Sequence, residues 1–122
     1  MADNKKILII DDDIDFREQA KIVLETKNYE VLEAEDGATG LDLIRKKNPD
    51  FILLDVMMEE VDTGVKIADE IGKLSNAPVV ILSSFANAAK QIFDTSAVPV
   101  KEYLQKPLKS DQLLALIKRY VQ

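Results

Sequence analysis

Three runs of four residues, Ile7–Ile10, Phe51–Leu54 and Val79–Leu82, contain no polar side chain at all. A strand with one wet face alternates apolar and polar residues, because successive side chains point to opposite sides of the sheet. A strand that is apolar at every position has no face to give to water and must be covered on both sides. These runs therefore demand a sheet buried between two layers.

The residues between the runs supply those layers. Asp15–Ala20 opens a helix whose Phe16, Ala20, Val23, Leu24 and Lys27 share one stripe, and Asn28 suits its end. Asp36-Gly37 makes a turn before a helix over 38–47, which Asn48-Pro49-Asp50 stops. A third helix places Val65, Ala68, Ile71 and Leu74 on one face. Residues 86–94 form a weakly patterned fourth. Ser110 reads as the N-cap of a last helix through Leu113, Leu114, Ile117 and Val121. Two further strands, 29–34 and 100–104, carry charges and belong at the edges. Five βα units in series imply a parallel sheet with helices on both faces. The flavodoxin-like order 2-1-3-4-5 puts the three apolar strands in the middle. No repeat or linker interrupts the chain, so residues 1–122 are expected to form one domain.

Composition removes whole classes of chemistry. The 122 residues include no Cys and no His, which excludes thiol catalysis, zinc–thiolate sites and histidine acid–base chemistry. A net charge of −6 argues against direct nucleic-acid binding. No apolar run approaches the ~20 residues of a membrane span, and the amino-terminal one is too short for a signal peptide. A cytoplasmic protein without membrane insertion is expected.

The residues just past each strand point to the site. In an open parallel sheet, ligands bind beyond the carboxyl ends of the strands where the winding reverses, here between the first and third. The first run ends in Asp11-Asp12-Asp13, the third strand in Asp55 and the fourth in Ser83-Ser84, while the fifth leads to Lys106. Carboxylates from two adjacent strands, with oxygen donors only, suit a hard divalent cation, Mg²⁺ above all. An Asp can also take a phosphoryl group as a nucleophile, and phosphoryl transfer needs little beyond positioning and charge neutralisation. The constellation reads as a phosphate-acceptor site. Singly, each residue has a plainer reading: Asp13 or Asp15 as a turn residue or cap, Lys106 as a solvated cation, Ser83 as an incidental hydroxyl.

Taken together, ILIIDDD, FILLDVMM, PVVILS and EYLQKPL resemble the receiver domains of response regulators, the CheY-like family of two-component signalling, over essentially the whole chain. The resemblance implies Asp55 as phosphoacceptor. It implies that Asp11 and Asp12, with Asp55 and the backbone carbonyl of Met57, hold Mg²⁺. Lys106 would bind phosphoryl oxygens, Ser83 would be the switch hydroxyl, and Tyr103 would follow it inward. The partner implied is a histidine kinase or phosphotransfer protein. The fourth helix, last strand and last helix would meet an unknown downstream target. With the sequence ending at Gln122, no attached output domain is expected. Asp13 is expected to be a solvated turn residue.

The sequence departs from the family pattern in three places. Met58-Glu59-Glu60-Val61-Asp62-Thr63-Gly64 replaces the usual Met-Pro-x-Met-Asp-Gly, and Ser96-Ala97-Val98-Pro99-Val100 replaces the usual Gly-Ala before the last strand. Ser84 follows Ser83 where Ala or Gly is usual, so Ser84 is the alternative switch when counted back from Lys106; strand register favours Ser83. Two other functions compete. A small Mg²⁺-dependent phosphatase with an Asp nucleophile would use Asp11-x-Asp13 or Asp13-x-Asp15, but would need acids late in the chain. A receiver-like module that binds partners unphosphorylated would have no use for the assembled acids, hydroxyl and Lys106.

Overall fold

The computed structural model describes residues 4–56, 61–95 and 100–121. Among the described residues strands and helices alternate: β1 (Lys6–Ile10), α1 (Ile14–Glu25), β2 (Glu30–Ala34), α2 (Gly37–Lys47), β3 (Phe51–Asp55), α3 (Val61–Leu74), β4 (Val79–Ser83), α4 (Ala86–Thr95), β5 (Glu102–Gln105) and α5 (Ser110–Tyr120). All four strand pairings are parallel, in the order β2-β1-β3-β4-β5.

The wholly apolar strands are central, and their period of two divides the core into two layers. Leu8, Ile10, Ile52, Leu54, Val79 and Ile81 face α2, α3 and α4, meeting Leu41, Ile44, Ala68, Ile71 and Ala89. Ile7, Ile9, Phe51, Leu53, Val80 and Leu82 face α1 and α5, meeting Ala20, Leu24, Leu113, Leu116 and Ile117. Each fully buried Val, Leu, Ile or Phe among them stabilises the fold by about 1.5–3 kcal/mol. Gly40 lets α2 settle close to β1: a Cβ there would lie 2.5 Å from Ile10 Cδ1. Ile10 immediately precedes Asp11, so this packing fixes the base of the site.

Helix ends follow local chemistry. Asn28 and Asn48 take the left-handed conformation, with φ of 67° and 49°, that closes α1 and α2. Asp36 caps α2, its carboxylate accepting from Thr39 N–H at 2.8 Å and standing below its usual pKa because of that bond. Ser110 is not the cap of α5 but its first residue. Gln112 Oε1 accepts from Lys109 N–H at 2.9 Å, so the side chain three positions on makes Lys109 the N-cap.

Other expectations shift by small amounts. Strand β5 begins at Glu102 rather than Val100, because its partner β4 sets the register with Val80 opposite Glu102. Leu74, placed on the inner face of α3, is 42% exposed at the helix end, and Lys27 lies beyond α1 and is exposed. Leu116, outside the expected α5 stripe, is fully buried. Among the described residues no helix is long and apolar enough to cross a membrane. The variant segment 96–99 lies outside the described residues.

Candidate functional site at the carboxyl ends of the strands

The site is built by register. Ile10 pairs with Leu54, which brings the next residues, Asp11 and Asp55, side by side. Asp55 in turn pairs with Leu82, and Ser83 with Gln105, the residue before Lys106. Four successive strand ends of the sheet, read from β1 to β5, thus contribute acid, acid, hydroxyl and ammonium.

Asp11 is only 2% exposed. Its backbone N–H donates to Ala34 carbonyl at 3.0 Å, and its Oδ1 accepts from Asp13 N–H at 2.9 Å. From behind, Arg17 Nη1 donates to the Asp11 carbonyl at 2.5 Å while its Nε pairs with Glu33 at 3.2 Å. Asp12 is exposed at the rim. One carboxylate oxygen from each of Asp11, Asp12 and Asp55 lies within 4.8 Å of the others. Lys106 Nζ reaches over them, 2.5 Å from Asp55 Oδ1 and 3.9 Å from Asp11 Oδ2.

The electrostatics are those of charges taken out of water together. Burial pushes Asp11 up to about 6, with the Asp55 and Asp12 charges adding to it, against the pull of Asp13 N–H and of Lys106. Burial likewise raises Asp55, opposed by Lys106. Burial alone would lower Lys106, but its contact with Asp55 and the nearby acids carry it above its usual value.

These residues fit a hard cation. Asp11 Oδ2 is buried and accepts no hydrogen bond from the described residues, and the Lys106 contact to Asp55 Oδ1 is an ion pair outside hydrogen-bond geometry. Such orphaned, converging oxygens are what an oxygen-ligated divalent ion requires. Beside them opens a cavity of about 170 Å³, lined by Asp12, Asp36 and Asp55 and, from α3, by Thr63, Gly64 and Ile67. Met57, implied to offer a backbone carbonyl, and residues 58–60 lie outside the described residues.

The remaining expected residues separate cleanly. Ser83 is fully buried at the end of β4, its Oγ accepting from Phe85 N–H at 3.0 Å, whereas Ser84 is exposed. Tyr103 is half-buried on β5, packed against the layer of α2, α3 and α4. Asp13 is indeed exposed and ahead of α1, and it is also that helix's N-cap, with Oδ1 accepting from Asp15 N–H at 3.0 Å and Phe16 N–H at 3.3 Å. The Lys106–Pro107 peptide is cis. Sequence reasoning missed Arg17 and Gln105, whose polar contacts run to residues across the fold.

A family model described as the response regulator receiver domain matches residues 7–118. The chain belongs to that family. Among solved structures, this receiver domain resembles the Vibrio cholerae chemotaxis protein CheY4, with a TM-score of 0.83, 27% identity and 97% and 99% of the two chains covered. A CheY-like receiver domain protein from Methanospirillum hungatei gives 0.82 at 25% identity, covering 95% and 92%. By sequence it is 34% identical to the transcriptional regulatory protein CseB of Streptomyces coelicolor over 118 residues, 97% of this chain and 50% of that one. It is 30% identical to the sensory transduction protein LytT of Bacillus anthracis, over 94% of this chain and 46% of that one. The receiver domain thus spans about half the length of the curated relatives it matches. Two-component signalling, phosphorylation on Asp and Mg²⁺ binding are general to the family.

Proposed function

We propose that Asp55 is the phosphoacceptor of a two-component switch. The observation that carries this reading is the convergence of Asp11, Asp12, Asp55 and Lys106 at one end of the sheet. An oxygen of Asp55 would attack the phosphorus of a phosphohistidine on a histidine kinase or phosphotransfer protein. The O–P bond forms as the N–P bond breaks, and the imidazole leaves as a neutral ring whose other nitrogen already carries a proton.

Asp11, Asp12 and Asp55, with the Met57 carbonyl, would hold Mg²⁺. When bound, that ion supplies neutralisation of the phosphoryl oxygens and of the crowded carboxylates. Lys106 is already paired with Asp55 and would exchange that contact for one to the acyl-phosphate oxygens. Ser83 would turn its hydroxyl toward the phosphoryl group, and Tyr103 would follow. The new charge and acceptor oxygens bias a two-state equilibrium, read out on the face of α4, β5 and α5. The outcome would be altered partner binding or onward relay of the phosphoryl group in the cytoplasm. No turnover of an external substrate is expected beyond slow self-dephosphorylation. Relatives named as transcriptional regulators are about twice this length, so the output of the whole protein belongs to the proposal as well.

Intact-mass measurement after incubation with acetyl phosphate and Mg²⁺ tests the assignment. One phosphoryl group should be added to the wild type and none to Asp55→Asn, and chelation of Mg²⁺ should suppress labelling. Normal labelling of Asp55→Asn would overturn the assignment. Repeated turnover of a phosphomonoester would favour a phosphatase instead.

A further inference from the structure

The turn between β4 and α4 is tied down twice, and only one tie involves the Ser83 hydroxyl. That hydroxyl accepts from Phe85 N–H at 3.0 Å. The second tie comes from the neighbouring strand. Gln105 Oε1 accepts from Ala86 N–H at 3.0 Å, and Gln105 Nε2 donates to the Ser84 carbonyl. Gln105 stands opposite Ser83 in the β4–β5 register, and the next amide, Lys106 N–H, donates to the Ser83 carbonyl at 2.9 Å. One side chain therefore joins the segment carrying Ser83 to the segment carrying Lys106.

The chemistry of the fork is specific. Holding a donor and an acceptor of the same turn at once suits a primary amide, whereas a carboxylate only accepts and an ammonium only donates. Ala86 opens α4, so its N–H belongs to the first turn, which has no partner inside the helix. Ser84, Phe85 and Gln105 are all exposed, so the fork competes with water and its net contribution is modest. That size suits a bias on an equilibrium better than a permanent clamp.

We propose that Gln105 is a positioning residue that latches the β4–α4 turn in the resting arrangement and so sets how readily Ser83 and Lys106 engage a phosphoryl group at Asp55. The proposal rests on the reading of Asp55 as phosphoacceptor and Ser83 as switch hydroxyl. Turning the Ser83 hydroxyl toward a phosphoryl group shifts its Oγ relative to Phe85 N–H, and the fork grips the residues on either side of Phe85. Lys106, one residue beyond Gln105, is drawn toward the same phosphoryl oxygens. The latch resists movement at both places where the switch must move.

The test is titration of the full chain with beryllium fluoride and Mg²⁺, a reversible phosphoryl mimic, monitored through the amide NMR signals of Phe85 and Ala86. Gln105→Leu removes both arms of the fork. It should bind the mimic about five-fold more tightly, the effect of losing roughly one net hydrogen bond from the resting state. Its unliganded Phe85 and Ala86 signals should also move toward the wild-type liganded positions, which a purely structural role would not produce. Gln105→Glu keeps the acceptor for Ala86 and loses the donor to Ser84, so it should fall between the two and carries the test if Gln105→Leu does not fold. Wild-type binding with unchanged or weaker binding by the folded variants overturns the latch and leaves Asp55 standing. A wild type that neither binds the mimic nor labels with acetyl phosphate overturns both.

Discussion

The two halves of the site are held by opposite kinds of force. On the β1–β3 side, Asp11 and Asp55 sit at the ends of central strands whose residues are almost completely buried, and they are forced together by register. On the β4–β5 side, Ser83, Ser84 and Gln105 are joined by neutral hydrogen bonds, most of them in contact with water. The first half stores repulsion in a frame that cannot yield. The second is a set of weak ties that exchange easily. Binding geometry belongs on the rigid side, and a moving part belongs on the other.

The largest expected effect comes from relieving the cost of burying the Asp11 carboxylate, to which its acidic neighbours add. Asp11 is raised from 3.8 to about 6 in the folded protein. A group raised on folding adds stability that is fully present below its unfolded pKa and lost as pH rises through the folded value. The metal-free protein should therefore lose stability between about pH 4 and pH 6 on this account. Asp11→Asn should flatten that profile and raise metal-free stability at pH 7 by about 2 kcal/mol, read from denaturant unfolding with a chelator present. It should weaken Mg²⁺ binding at the same time. A variant no more stable than the wild type at pH 7 would mean that the acidic half stores no strain.

A smaller effect separates the two serines. Ser83→Ala leaves Phe85 N–H without its partner and should cost about 1 kcal/mol in thermal or denaturant unfolding. Its α4–β5–α5 amide signals should no longer respond to phosphorylation. Ser84→Ala is a surface change and should lie within about 0.5 kcal/mol of the wild type with its response intact. If Ser84→Ala is the variant that loses the response, the register argument for Ser83 falls.

Smallest in its reach, Asp13→Ala removes the α1 cap and should cost about 1 kcal/mol. Labelling of Asp55 should stay near wild type. Loss of labelling comparable to that of Asp55→Asn would instead make the third acid part of the charged half.

Most of the fold was legible because it is set by local pattern. The apolar runs gave the central strands, their charged counterparts gave the edges, and Asn28 and Asn48 marked helix ends. The acids and Lys106 were legible for a related reason: residues after a strand in a parallel sheet have nowhere else to go. What failed depended on contacts that the apolar pattern does not show. The start of β5 is set by pairing with Val80, and the α5 cap by a Gln112 side chain folding back on Lys109. Arg17 and Gln105 escaped notice because long polar side chains carry no periodic signal, and only the tertiary contact shows what they hold.

Strand β5 touches both interior layers, with Tyr103 packed into one and Leu104 into the other. Its Glu102 is further bonded by Arg119 and Tyr120 at the end of α5, while Gln105 grips the start of α4. A small displacement of this single edge strand would be broadcast to both sides of the molecule at once.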